Sequence, residues 1–266
     1  MTSQFLETLT SRYHAYVDNF RDGTGVLPQM HQLKWDHTRH VVKNASRIMS
    51  GEGWSRTERL EGEVCALLHD VGRYSQLKEY GTFRDAESID HAVRGVEVIE
   101  AERLLDGASG EMRKRVLTAV ALHNKKEVPA ALDDATARLA YLVRDADKLD
   151  IFRVLETVIA DGSLENNPEI AWGLQVRGAP TPEVVASVRV GQPVDYEMVR
   201  NLSDFVLIQV GWLIGGFRYA TSMRLAVERK VLEFREGFLK SLSDDPGVGV
   251  CCEAARAYLT RQAGVG

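Results

Sequence analysis

Cysteine is scarce. The three in 266 residues, Cys65, Cys251 and Cys252, are odd in number and include an adjacent pair, which excludes a disulfide framework and suits a reducing compartment. Basic residues do not dominate either: Lys plus Arg number 33 against 38 Asp plus Glu, a formal charge of −5. General nucleic-acid binding needs a dominant basic surface, so nucleic acid is not an expected partner, although local cations can still hold a small phosphate. Long apolar runs are missing. The longest, residues 205–217 (FVLIQVGWLIGGF), is too short to span a bilayer and contains Gln209. The opening MTSQFLETLTSRYHAYVDNF is polar and amphipathic rather than a charged-then-apolar leader. The expectation is a cytoplasmic protein with no membrane partner. Strand alternation with hairpin turns, internal repeats and low-complexity tracts are also lacking. What remains is 44% apolar and 27% charged residues, the proportions of a folded chain. At this length such a chain buries roughly three quarters of its unfolded surface.

The apolar period is helical almost throughout. Phe5, Leu9, Tyr13 and Val17 fall four apart and predict a helix over 3–20. Val41, Val42, Ala45, Ile48 and Met49 predict another over 31–50, stopped by Gly51 and Gly53. Ser55 and Glu58 have the spacing of a capping box and open a helix that ends near Asp70. Residues 71–86 read as a loop with a short helical turn. Helices are expected at about 87–104, 110–124 and 133–150. The stretch 160–200, broken by several Gly and Pro, fits short helices or a small hairpin. Residues 201–242 read as a long helical region and 250–262 as a last helix. The run 205–217 is more apolar than one helix face needs, which fits a fully buried helix or the seam of a homodimer. Trp172, Trp212, Phe217 and Tyr219 are the aromatics able to touch a ring-bearing ligand, although aromatics at helical spacing more often fill a core.

The chemistry concentrates in histidines and aspartates. Leu67 and Leu68 lead directly into His69, Asp70, Val71, Gly72 and Arg73, so an apolar helix delivers an adjacent His and Asp at its end. An imidazole and a carboxylate side by side can bind one divalent ion or two neighbouring ones. A bare Asp among apolar residues is costly unless paired or bound to metal. Upstream, His37 shares a four-residue line with Val41 and Ala45 and points inward, whereas His40 lies off it. Downstream, the apolar helix 119–122 ends at His123. Leu139, Val143 and Asp147 fall on one face, so Asp147 is the inward carboxylate; Asp145, two residues earlier, is the alternative if the helix phase differs. His91 lies between these groups. His14 and His31 read as solvated or structural, and His40 as structural or supporting.

In this order, His37, then His69 and Asp70, then Asp147 within Ala-Asp-Lys-Leu, the chain resembles the HD-domain metal-dependent phosphohydrolases over about residues 30–155. The resemblance implies an all-α helical bundle. His91 and His123 add a likeness to members with a two-metal site, including the HD-GYP cyclic-dinucleotide phosphodiesterases. The GYP element is absent: NKKEVP follows His123, so a cyclic dinucleotide is not supported. Carried over, His37, His69, Asp70 and Asp147 hold a first divalent ion (Mn, Fe, Ni, Co, Zn or Mg), and Asp70, His91 and His123 serve a second. The reaction implied is hydrolysis of a phosphomonoester or phosphodiester by metal-activated water, on a small phosphorylated substrate of nucleotide type. Asp70 and Arg73 are the residues assigned to catalysis, Arg73 because its fork fits phosphate bidentately. Arg94, Lys125, Lys126 and Lys148 are further candidate cations, and Asp90 or Asp150 a candidate for steering water. Domain organisation is expected as a metal-binding core over 1–160 and a mostly helical extension over 161–266 packing on it. The same donors also resemble the di-iron oxygenases built on the HD fold, and a non-catalytic metal- or nucleotide-binding module is the remaining alternative.

Overall fold

The computed structural model describes residues 3–164, 168–171 and 173–263, and among them it is all-α. It divides into two compact units, Met1–Asp150 and Ile151–Gly266. The N-terminal unit holds α1 (Ser3–Asp18), α2 (Gln29–Gly51), α3 (Arg56–Leu68), α4 (Gly72–Tyr80), α5 (His91–Ala101), α6 (Gly110–Leu122) and the first part of α7 (Asp134–Ala160).

Local sequence accounts for most of these boundaries. Leu9, Tyr13 and Val17 make the buried stripe of α1, and His37, Val41, Ala45 and Ile48 that of α2. At the start of α3 the Ser55 side chain accepts from the Glu58 backbone N–H, and the Glu58 carboxylate accepts from the Ser55 backbone N–H. This reciprocal cap satisfies two otherwise orphaned donors. Asp90 caps α5 by accepting from Ala92 and Val93, and Ser109 caps α6. α3 packs on α2 and α6, and α5 packs on α4 and α6. A bidentate pair, Arg115 to Glu61 at 2.9 and 2.5 Å, ties α6 to α3.

Three expectations need correction. Residues 71–86 are not mainly loop: Gly72–Tyr80 form α4, and a 3-10 turn follows at Asp85–Glu87. The apolar period is weak there because what α4 buries is polar or mixed, Tyr74 and Gln76, both fully enclosed. Gly81 ends the helix at φ 69°. α7 continues ten residues beyond the expected end at 150, since Phe152, Leu155 and Val158 carry on its buried stripe. The region 201–242 is three helices, α9 (Leu202–Trp212), α10 (Ala220–Glu228) and α11 (Val231–Leu242), interrupted by Gly215 at φ 80° and Lys230 at φ 55°.

In the C-terminal unit, α9 is buried on all sides from Leu202 to Val210 and packs against α8 (Pro182–Arg189), α11 and α12 (Pro246–Ala263). Burial within its own unit accounts for the apolarity of that run. The described part of 160–200 holds α8, 3-10 turns at Pro168–Ala171 and Tyr196–Met198, and an isolated parallel bridge between Gln175 and Asn201, with no hairpin. Trp212, tilted by 43°, and Phe217, edge-on at 76°, pack against Phe152 in this core. Tyr219 is half-buried, and Trp172 lies outside the described residues. No described helix is long and apolar enough to cross a membrane.

Candidate metal centre

Helix ends assemble the site. His37 comes from α2 and His91 is the first residue of α5. His69 and His123 are the residues just past α3 and α6, where an apolar helix stops and its last side chain is carried into the interior. Asp70 follows His69. Asp147 and Asp150 lie one turn apart on α7. All four histidines, Asp70 and Asp150 are buried, and Asp147 is half-buried. Gly72 lets these elements meet: a Cβ there would stand 2.4 Å from the His91 carbonyl oxygen and 2.5 Å from the Gly95 nitrogen. Only a residue without a side chain allows α4 to cross α5 so closely, and that crossing brings His91 beside Asp70.

The carboxylate of Asp70 is the centre. Its Oδ2 lies 3.6 Å from His37 Nε2 and 3.7 Å from His69 Nε2. Its Oδ1 lies 3.5 Å from His91 Nε2 and 3.6 Å from His123 Nε2. Asp147 Oδ1 joins the first group, 3.1 Å from His37 Nε2 and 4.0 Å from His69 Nε2. The two groups therefore share one carboxylate, one oxygen each. Bonds of about 2.1 Å around a common ion put neighbouring donors about 3.0–3.4 Å apart, close to these separations.

Every imidazole is held by its other nitrogen. His69 Nδ1 donates to the Ala66 carbonyl at 2.8 Å and His123 Nδ1 to the Val120 carbonyl at 2.7 Å. His37 Nδ1 donates to Asp150 at 2.7 Å and His91 Nδ1 to Asp85 at 2.6 Å. With Nδ1 carrying the proton, the Nε2 lone pairs point inward. They converge tightly: His91 and His123 Nε2 are 3.0 Å apart, and His37 and His69 Nε2 are 3.4 Å apart. Two facing lone pairs repel unless a cation lies between them. The residues thus fit divalent metal, as two fully buried overlapping groups, His37 with His69 and Asp70, and Asp70 with His91 and His123; a third group of possible ligands, Asp85 with Asp90 and His91, is only partly buried.

The electrostatics follow from burial and these contacts. Burial pushes His69 down to about 4 and His91 down to about 3, the latter helped by Arg73. Burial and Lys34 also push His37 down, but its hydrogen bonds to Asp147 and Asp150 outweigh them and raise it to about 9. Without an ion its Nε2 therefore holds a proton against Asp147, and a metal ion has to displace that proton to use the lone pair. Burial opposes ionisation of Asp70, Asp85 and Asp147, yet all three stay below the ordinary carboxylate value. Lys34, His69, His123 and Arg73 outweigh burial at Asp70, His91 at Asp85, and His37 at Asp147.

The other candidates lie as follows. Arg73 is beside the centre, with Nε 3.5 Å from Asp70 Oδ1. Its Nη1 is committed to Gln76 at 2.7 Å, the Phe83 carbonyl at 2.6 Å and Asp85 at 2.9 Å. Arg94 turns away to Glu79 at 2.9 Å, and Lys125 pairs with Asp90. Asp90 is thus a helix cap and a partner for Lys125 and Asn124, not a group facing the centre. Lys148 is half-buried, and desolvation lowers it to about 8 against the opposing charge of Asp145. Arg144 donates to the carbonyls of Leu122, His123, Lys125 and Lys126 and so fastens the end of α6. Asp145 is buried but Asp147 is the one of the pair near the histidines. His14 lies against Trp35, His31 packs beside both Phe20 and Tyr74, and His40 Nδ1 bonds the Asp36 carbonyl.

Two participants had no sequence signal. Lys34 donates to Asp70 Oδ2 at 2.7 Å, and Asp85 orients His91. Lys34 sits three residues before His37, on the same helix face, and that spacing is the one hint the sequence held.

Residues 35–151 match the HD domain family model, a span that takes in all six clustered groups. No curated protein and no solved structure matches the chain. The HD domain is the helical scaffold of a superfamily of metal-dependent hydrolases.

Proposed function

We propose that this HD domain is a metal-dependent phosphohydrolase acting on a phosphomonoester or phosphodiester of a small, nucleotide-like substrate. In this reading His37, His69, Asp70 and Asp147 hold one divalent ion, and Asp70, His91 and His123 hold a second. One observation carries it. Four imidazoles, each tied through Nδ1, aim their Nε2 lone pairs at the two oxygens of one buried carboxylate. A cluster so rich in acceptors is costly to bury unless cations satisfy it. When bound, the ions supply Lewis acidity, lowering the pKa of a water towards ~7 and neutralising charge on the phosphoryl group.

The protein's own work is positioning. The carbonyls of Ala66 and Val120 and the carboxylates of Asp85 and Asp150 fix each ring's tautomer and plane. Asp70 divides its oxygens between the two groups. Arg73, held by Asp85 and Gln76, places a fixed positive charge beside Asp70 and lends it to a substrate that gains negative charge in the reaction. Arg73 and Asp70 are accordingly the groups assigned to catalysis.

The test is elemental analysis of protein purified without chelator, beside Asp70→Ala, followed by a phosphate-release screen over nucleotides. Bound ions that disappear in the variant, with metal-dependent phosphate release, support the proposal. Absence of bound metal and of uptake on reconstitution overturns it. Two irons per chain with substrate-dependent oxygen consumption and no phosphate release would replace it with the oxygenase reading.

A further inference from the structure

We propose that Lys34 is the phosphoryl-binding cation of this centre, and that it competes with metal for Asp70 Oδ2 until a phosphate takes it over. The proposal rests on the two-ion reading above and names how the same site receives its substrate.

The geometry starts on α2. Lys34 Nζ donates to Asp70 Oδ2 at 2.7 Å, and this is the oxygen facing His37 and His69 at 3.6 and 3.7 Å. The ammonium therefore neutralises the oxygen through which Asp70 would enter the first group of ligands. An ion there withdraws the negative charge that holds Lys34 and adds a repulsive one close by. Among the described residues no second acid lies within 4 Å of Lys34 Nζ. Its other contact is the face of the Phe83 ring, 5.1 Å from Nζ to the centroid, and its side chain is 16% exposed. A largely enclosed ammonium without a counter-charge is costly.

The neighbouring cations of this unit are differently placed. Arg73 has Asp85, Arg94 has Glu79, Lys125 has Asp90, and Arg144 has four carbonyl oxygens. These partners are outside the two groups of ligands, so metal loading leaves those pairs intact. Arg73 also stands 3.5 Å from Asp70 Oδ1, but it keeps Asp85 on loading. Lys34 has no such reserve: its acid within 4 Å is a ligand of the proposed ions. A phosphoryl oxygen arriving at the ions restores the lost counter-charge. Metal and phosphate then favour one another: each binds more tightly when the other is present, by the same factor.

The experiment is calorimetry on the full chain after chelator treatment. Mn2+ is titrated into wild type, Lys34→Met and Lys34→Arg without phosphate. Inorganic phosphate is then titrated into each Mn2+-loaded protein. Removing the competing cation should tighten Mn2+ binding by about tenfold in Lys34→Met, and removing the phosphate partner should weaken phosphate by about tenfold, the lower range for hydrogen bonds to charged groups. Lys34→Arg should stay near wild type in both titrations. A packing role cannot produce opposite signs in the two titrations. Unchanged or weaker Mn2+ binding in Lys34→Met, or unchanged phosphate binding, overturns the proposal while leaving the two-ion reading in place. A wild type that takes up no Mn2+ overturns that reading and the role of Lys34 with it. A thermal melt accompanies each variant, and Lys34→Gln carries the same test if Lys34→Met unfolds early.

Discussion

Each unit buries a polar cluster, and the two are built on opposite plans. In the C-terminal unit Arg235 is fully enclosed and every N–H has an acceptor. Nε and Nη2 donate to Gln209 at 3.0 and 2.8 Å, Nη1 to Glu156 at 2.6 Å and the Val231 carbonyl at 3.2 Å, and Nη2 to the Phe152 carbonyl at 3.1 Å. The guanidinium also lies 4.2 Å over the Phe152 ring. The guanidinium is fully satisfied within the cluster, and what is left over is a donor, the buried Gln209 Nε2, which has no use for a cation. In the N-terminal unit acceptors outnumber donors. Nitrogen lone pairs face each other at 3.0 Å, and among the described residues the closest side-chain donor to Asp70 is Lys34 at 2.7 Å. A buried polar network that closes on itself holds a fold together; one left electron-rich at its centre is built for a cation. Burial and charge alone do not separate the two, but the donor–acceptor balance does.

Charge removal at the two centres tests this contrast most severely. Asp70→Asn should eliminate bound metal and cut metal-dependent phosphate release by about 10³-fold or more, several kcal/mol of transition-state stabilisation. Without metal the variant should melt below metal-free wild type, because Lys34 loses its counter-charge. Metal retained by the folded variant would mean that the cluster is not built for a cation. Arg235→Met should leave metal content per folded chain unchanged and lower stability by about 3–5 kcal/mol through the stranded Glu156 and Gln209. Denaturant melts with metal analysis on the same samples read both quantities.

Smaller changes sharpen the contrast within the N-terminal unit. Asp85→Asn and Asp150→Asn leave the inward-facing donors in place and alter only what holds the rings, so each should weaken metal binding about 10–100-fold. Asp85→Asn should affect the ion on the Oδ1 side and Asp150→Asn the one on the Oδ2 side, which stepwise Mn2+ titration resolves. Equal loss at both ions in both variants would contradict the division of Asp70's oxygens.

The smallest effect concerns a histidine outside the cluster. His31 donates from Nε2 to the Tyr74 carbonyl at 3.1 Å, and its Nδ1 is buried without a partner. Burial holds its pKa below the ordinary imidazole value. As pH falls through about 6.5 the unfolded chain takes up this proton before the folded one, so stability present above that pH is lost below it. Between pH 7 and 5 wild type should lose more stability than His31→Phe, with metal content identical in the two. Loss of metal in His31→Phe would put this lone histidine in the same class as the clustered four.

Some of this was legible residue by residue. The four-residue line through His37, Val41 and Ala45 placed His37 inside, and all three are buried. The line through Leu139 and Val143 likewise brought Asp147, rather than Asp145, beside the histidines. The capping box at Ser55 marked the start of the helix that carries His69 and Asp70. α4 was missed because period analysis counts apolar residues, and the enclosed side chains of α4 are Tyr74 and Gln76. Arg73 was placed beside Asp70 by a one-turn spacing, but its ties to Gln76, Asp85 and the Phe83 carbonyl come from a chain segment that returns across α4.

The sequence by itself determined the helices and the inward phase of their histidines and aspartates, because hydrophobic period and caps act over one or two turns. Only the tertiary structure decided that Lys34 reaches Asp70, that Asp85 and Asp150 orient His91 and His37, and that the two oxygens of Asp70 face different pairs of imidazoles. Those contacts join residues from 6 to 113 positions apart. Their directions are set by how helices cross, as at Gly72 against α5, and a crossing is a property of packed surfaces rather than of any local run of residues.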